Sequence, residues 1–209
     1  MGYPTVGLLT AILVLCVLAG LALAARLGCP HKKRYRRGLA HLDAGRYDNA
    51  LSEFTEIINQ DPMEPVAYYD RGLAYQRKGE YDKAIADFHR ALELDPEDAS
   101  PHFGRGLAFG GKGDHDRAIE EYSRAIELDS KRTDAYNNRG AEYGLKEQYD
   151  EAIQDFTKAI QLDPKYMTAY YGRGIVYGEM GDDAAAVQDF DKAIELNPMF
   201  AAAYWSKAD

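Results

Sequence analysis

The side chains best suited to chemistry are dispersed along this sequence. Five histidines, His31, His41, His89, His102 and His115, have the chemistry to hold a metal or move protons, but they do not cluster at metal-ligand spacing. His41, His102 and His115 stand where the corresponding stretches place aromatic rings, so a packing role is expected of them. Cys16 and Cys29 lie in or beside an apolar segment, and they form neither a disulfide framework nor a metal set. Arg26 stands where a lipoprotein signal ending at Cys29 needs an apolar residue, and Val6 stands where a myristoylation motif needs Ser or Thr. No phosphate-cradling loop, dinucleotide fingerprint or nucleophile elbow is present. The carboxylates are spread evenly, as on a solvated face. The expectation is therefore a chain that binds rather than catalyses, with no catalytic residue, metal or cofactor.

One chemical pair does recur. Arg-Gly occurs at 37–38, 71–72, 105–106, 139–140 and 173–174, always 34 residues apart. Sixteen residues after each arginine comes an acid: Glu53, Asp87, Glu121, Asp155 and Asp189. An arginine buried beside a core needs such a partner, so each pair is expected to meet at salt-bridge distance. The alternative is two independent surface charges, worth little.

The elements that must position these pairs follow from the hydrophobic period. Tyr68, Gly72 and Tyr75 fall at i, i+4, i+7, as do His102, Gly106, Phe109, then Tyr136, Gly140, Tyr143, then Tyr170, Gly174, Tyr177. A second stripe follows in each stretch: Ala84, Phe88, Ala91, then Ala118, Tyr122, Ala125, then Ala152, Phe156, Ala159, then Ala186, Phe190, Ala193. Each stretch thus reads as two helices, packed closely at Gly and Ala with rings in the gaps. Lys78-Gly79-Glu80 exemplifies the turn between them, and Asp61-Pro62, Asp95-Pro96, Asp163-Pro164 and Asn197-Pro198 end the units. Five units result, 31–64, 65–98, 99–132, 133–166 and 167–200, and 201–209 begins a sixth or caps the array.

Composition is uneven along the chain. All 34 acids lie beyond residue 40, and six of the 25 basic residues precede residue 38, so 38–209 holds 19 basic against 34 acidic residues, a net −15. A nucleic-acid-binding role is disfavoured, because that needs a basic stripe. Residues 6–25 form an almost unbroken apolar run, long enough at 1.5 Å per residue to cross a hydrocarbon core of ~30 Å. Lys32, Lys33, Arg34, Arg36 and Arg37 follow it and no basic residue precedes it, which favours an uncleaved single-pass anchor with a cytoplasmic body. The same basic run would also attract anionic lipid. Gly28-Cys29-Pro30 then breaks the helix, so 1–30 is read as anchor and juxtamembrane break. The alternative is export after cleavage at Ala22-Leu23-Ala24.

With Tyr68, Gly72, Tyr75, Gly79, Tyr81, Ala84, Phe88, Ala91 and Pro96 in a 34-residue period, residues 31–209 resemble the tetratricopeptide repeat, or TPR. The departures are Arg34 and His41 at ring positions, Glu147 at a turn glycine and Asp183 for the ring of Tyr81. The resemblance implies an all-α, right-handed superhelical solenoid whose concave surface, lined by the leading helix of each pair, grips a protein or peptide partner. It implies an adaptor, or else the repeat segment of a larger enzyme. The basic and asparagine clamp with which some members hold carboxylate tails is absent from the corresponding positions. The residues expected on the partner-binding face are Tyr69, Asp70, Leu73, Phe103, Leu107, Asn137, Asn138, Tyr171 and Ile175, with helix-to-helix packing as the competing role of the rings. At the carboxy end, "NPMFAAAYWSKAD" puts Tyr204 in the register of Tyr170, so it should pack on a helix at about 183–196 and leave an apolar edge near Trp205 open to self-association.

Overall fold

The computed structural model describes residues 32–198. The expected anchor over 6–25 and the expected terminal helix over 201–209 lie outside them. Among the described residues no helix is long and apolar enough to cross a membrane. These residues form ten helices: α1 (Lys32–Asp43), α2 (Tyr47–Gln60), α3 (Pro65–Arg77), α4 (Tyr81–Leu94), α5 (Ala99–Gly111), α6 (His115–Leu128), α7 (Thr133–Leu145), α8 (Tyr149–Leu162), α9 (Met167–Glu179) and α10 (Asp183–Leu196). The structure is an all-helical repeat solenoid that divides into two compact units at Met63.

In the first unit α1 lies on α2. The ring of Tyr35 meets that of Phe54 edge-on at 5.9 Å, and Gly38 is buried against the same ring. Arg37 reaches Glu53 at 3.0 Å.

The second unit holds four helix pairs. Each leading helix packs on its own second helix, each second helix on the next leading helix, and successive leading helices also touch. Local chemistry sets the boundaries. Pro65 occupies the first turn of α3, where a missing N–H costs nothing, and Glu64 accepts from the Val66 amide at 3.4 Å. At the other end Gly79 takes φ 77°, and the Glu80 amide donates back to the Tyr75 carbonyl at 2.9 Å, closing the helix. Glu147, the one departure from glycine at this turn position, still adopts φ 61°. That is a left-handed conformation costly for a residue with a Cβ.

The core of each pair is a second-helix ring pressed onto a leading-helix glycine. Phe88 is fully buried, and a Cβ on Gly72 would stand 2.7 Å from its ring. The next leading helix presents Gly104 to the same ring, again at 2.7 Å. Phe156 meets Gly172 of the following pair as closely, at 2.6 Å, while a Cβ on Gly140 of its own pair would stand 3.3 Å from the ring. Glycine is thus kept in these helices, despite its ~1 kcal/mol propensity cost, because the rings occupy the space a side chain would need.

Candidate functional site

Every expected arginine pair forms. Arg71 Nε and Nη2 each donate to Asp87 at 2.7 Å. Arg139 holds Asp155 by the same fork, also at 2.7 Å twice, and Arg173 holds Asp189 at 2.7 and 2.8 Å. Asp87, Asp155 and Asp189 are buried, which removes the reading of independent surface charges. The hydrogen bond to Asp87 holds the Arg71 guanidinium above its already high ordinary pKa, and the bond to Asp189 does the same for Arg173. Two of these arginines also reach back one repeat: Arg139 Nη1 donates to Ser123 Oγ at 2.9 Å and Arg173 Nη1 to Thr157 Oγ1 at 2.8 Å. The fork therefore ties a helix pair together and, through the third nitrogen, ties that pair to its predecessor.

The two glutamates behave differently from the three aspartates. Arg105 reaches Glu121 through Nη2 alone, at 2.8 Å, and its buried Nε has no hydrogen-bond partner. The other Glu121 oxygen lies 2.8 Å from His102 Nδ1. In the first unit Glu53 is likewise shared, by Arg37 and Arg34. Where the leading position is Tyr68, Tyr136 or Tyr170, the guanidinium stands 5.6–5.9 Å from that ring and the acid is aspartate. Where it is Arg34 or His102, the acid is glutamate, one methylene longer, and serves two donors. The histidines are thus not simple substitutes for rings. His115 likewise contacts buried Glu142 at 2.6 Å, which corrects the packing role expected of it. That substitution is paired as well, since Glu142 stands where other leading helices carry Ala74, Ala108 or Val176.

A second ladder escaped the sequence reading. Lys112 pairs with Asp82, and Lys146 with Asp116, each lysine reaching an acid 30 residues earlier on the preceding repeat. The recurrence of Lys and Asp at that offset was the available signal. Met180 replaces the lysine in the last described pair and is exposed.

The face expected to meet a partner divides into three kinds of position. Tyr69 packs at 5.7 Å on Phe88, Phe103 at 5.6 Å on Tyr122 and Tyr171 at 5.9 Å on Phe190, so each ring is tilted onto its own helix pair and half-buried. Leu73 and Leu107 pack into the same clusters. Burial raises the Tyr69 pKa, partly offset by nearby Arg132. Asp70 and Asn138 sit one residue further round the helix, about 100° away. Within the second unit this is the register in which Gly104 and Gly172 meet the preceding repeat. Asp70 is buried, and Asn138 donates to the Asp134 carbonyl of its own helix at 2.7 Å. Ile175 is open, with 39% of its surface exposed. Asn137 is half-buried, and its Oδ1 is buried without a hydrogen-bond partner.

Arg132 belongs to this face and was missed. Its guanidinium lies 4.3 Å from the centre of the Phe103 ring and is fixed by Asp134 Oδ1 at 3.1 Å and Ser100 Oγ at 3.4 Å. The leading helices of the second unit thus present rings and aliphatic side chains, a stacked arginine and, on α7, a polar interruption at Asp134 and Asn137. That chemistry suits a segment with both apolar side chains and free backbone groups. Among the described residues no group of three or more His, Cys, Asp or Glu side chains is placed to hold a metal.

Comparison with known proteins agrees with this architecture. Sequence profiles of the tetratricopeptide repeat match residues 34–62, 65–98, 133–166 and 168–200, and a further TPR profile matches 111–146. No curated protein sequence matches significantly. Among solved structures, that of MamA is 27% identical, covering 79% of this chain and 96% of its own, with a TM-score of 0.69. PilF of Pseudomonas aeruginosa is 29% identical over 72% of this chain and 68% of its own, at 0.66. YrrB, described as a TPR protein with an unusual peptide-binding site, shares the fold at 24% identity and 0.67, covering 84% of this chain and 91% of its own. Profiles and helix pairs together account for most of residues 34–200, and the chain belongs to the tetratricopeptide-repeat family.

Proposed function

We propose that the chain is a membrane-anchored adaptor, held by residues 6–25 with its repeats in the cytoplasm, that recruits a protein partner through the leading-helix face of α3, α5, α7 and α9. The observation that carries the binding reading is the composition of that face: three half-buried rings, open Ile175 and half-buried Asn137. The peptide site described for YrrB makes a peptide segment the natural class of ligand. The anchor reading is supported by the apolar run and the basic residues that follow it.

Affinity measurements on the full chain test the binding half. With a partner captured from the native host, Ile175→Asp and Asn137→Leu are each expected to weaken binding by about 2 kcal/mol, roughly thirtyfold in Kd. A charge change at exposed Lys158 on α8 should leave it unaltered. Equal effects at all three positions would remove the leading face from the account. Intact mass of the native protein tests the other half: retention of residues 1–24 is expected, and their loss would mean export instead.

A further inference from the structure

Helix α1 has a second face that its packing leaves open. Tyr35 and Gly38 are turned to α2, whereas Lys32, Lys33, Arg36, Arg37 and Ala40 line a shallow surface depression of about 440 Å³. At about 100° per residue these five positions share one side of the helix. Within the first unit Glu53 is the acid that answers this helix, and its oxygens are taken by Arg34 at 3.2 Å and Arg37 at 3.0 Å. Lys32, Lys33 and Arg36 are exposed and make no ion pair among the described residues. Three uncompensated cations thus point away from the core, at the start of a body whose remainder carries net −15.

We propose that this face of α1 docks on the headgroups of an anionic lipid bilayer. The choice of a bilayer rests on the anchored reading, because Lys32 follows the apolar run by only seven residues. Charge complementarity supplies the affinity, at roughly fivefold in partitioning per cation. A nucleic acid is a poorer fit. The basic run occupies one end of a single helix, and no basic stripe extends it across the acidic repeats. Ala40 and the aliphatic stems of the lysines let the helix lie close to the interface while the charged heads meet phosphate.

Amine acylation of the full chain, read residue by residue by mass spectrometry, tests this. The protein is mixed with vesicles of phosphatidylcholine alone or of phosphatidylcholine with phosphatidylglycerol, and flotation is followed in parallel. Labelling of Lys32 and Lys33 is expected to fall severalfold on the anionic vesicles relative to the neutral ones and to recover in high salt. Lys131, Lys158 and Lys165 should not change. Equal labelling of Lys32 and Lys33 on both vesicles overturns the proposal, and flotation with neutral vesicles would then leave the anchor standing. Flotation with anionic vesicles only supports the α1 face and removes the anchor. Flotation with neither overturns both, and protection of Lys32 and Lys33 by duplex DNA but not by vesicles reassigns the face to nucleic acid.

Discussion

Asp155→Ala is predicted to be among the most damaging single changes in the chain. The substitution removes two charge-assisted hydrogen bonds of 2.7 Å and leaves the Arg139 guanidinium with Ser123 at 2.9 Å. Breaking a buried pair from one side costs about 3–5 kcal/mol. The Arg139 side chain keeps 19% of its surface exposed, so water relieves part of this and about 3 kcal/mol is expected. Arg139→Ala should cost as much, because it strands an aspartate whose side chain is only 8% exposed. The double variant should cost clearly less than the sum, with a coupling energy of about 2 kcal/mol. Arg139→Met with Asp155→Leu should return to within about 1 kcal/mol of the parent, since a packed apolar pair replaces an ionic one at little loss. Urea unfolding followed by circular dichroism gives the totals. Hydrogen exchange of α7 and α8 amides shows whether the loss is local, as nearest-neighbour coupling in a repeat array requires. Single-variant costs below about 1 kcal/mol, or strict additivity, would place these pairs with ordinary surface ion pairs and refute the reasoning.

Glu121→Asp alone should destabilise the 99–132 repeat by about 1–2 kcal/mol, because the shorter acid cannot serve both His102 and Arg105. Adding His102→Tyr should restore most of that loss by rebuilding the aspartate fork under a ring; a double variant weaker than the single would contradict the pairing rule. Glu147→Gly should stabilise by about 1 kcal/mol, since φ 61° suits glycine and strains glutamate, and unchanged urea midpoints would count against strain at this turn. Burial, with the Glu142 carboxylate adding to it, holds the Tyr122 phenol well above its ordinary pKa. The unfolded chain therefore releases this proton first, and stability contributed by the neutral phenol is lost as pH rises past the unfolded value of about 10. Tyr122→Phe, the ring used at this position as Phe54, Phe88, Phe156 and Phe190, should be near neutral at pH 7 and flatten that alkaline decline. A decline just as steep without the hydroxyl would assign it elsewhere.

The fold was legible because its determinants are periodic. Gly72, Phe88 and their equivalents announce a ring-on-glycine core at fixed spacing, and the structure realises it in contacts that leave no room for a Cβ. The arginine partners were readable for the same reason, since five acids at one offset from five arginines all lie within reach across the helix pair. What the period concealed were compensations between positions. His102 looked like a poor ring until Glu121 was seen to share its carboxylate, and His115 likewise until Glu142 was found beside it. The lysine ladder was hidden because Lys112 and Asp82 belong to different repeats, and Asp82 alone reads as one more exposed acid. The partner face was legible only in part. Helical spacing placed Tyr69, Phe103 and Tyr171 on a common stripe, but their stacking on second-helix rings, the burial of Asp70 and the reach of Arg132 over Phe103 depend on tertiary packing that no single-helix pattern encodes.

The most direct test of the account is site-specific photocrosslinking of the full chain in its native host. A photoreactive side chain is placed in turn at Ile175 and Asn137 on leading helices and at Lys158 and Glu120, exposed on second helices. Recruitment through the leading face predicts a discrete adduct of the same protein at Ile175 and Asn137 and none at the second-helix positions. Adducts at Lys158 and Glu120, with Ile175 and Asn137 silent, would show that the partner rides on the outer helices and would contradict the central claim.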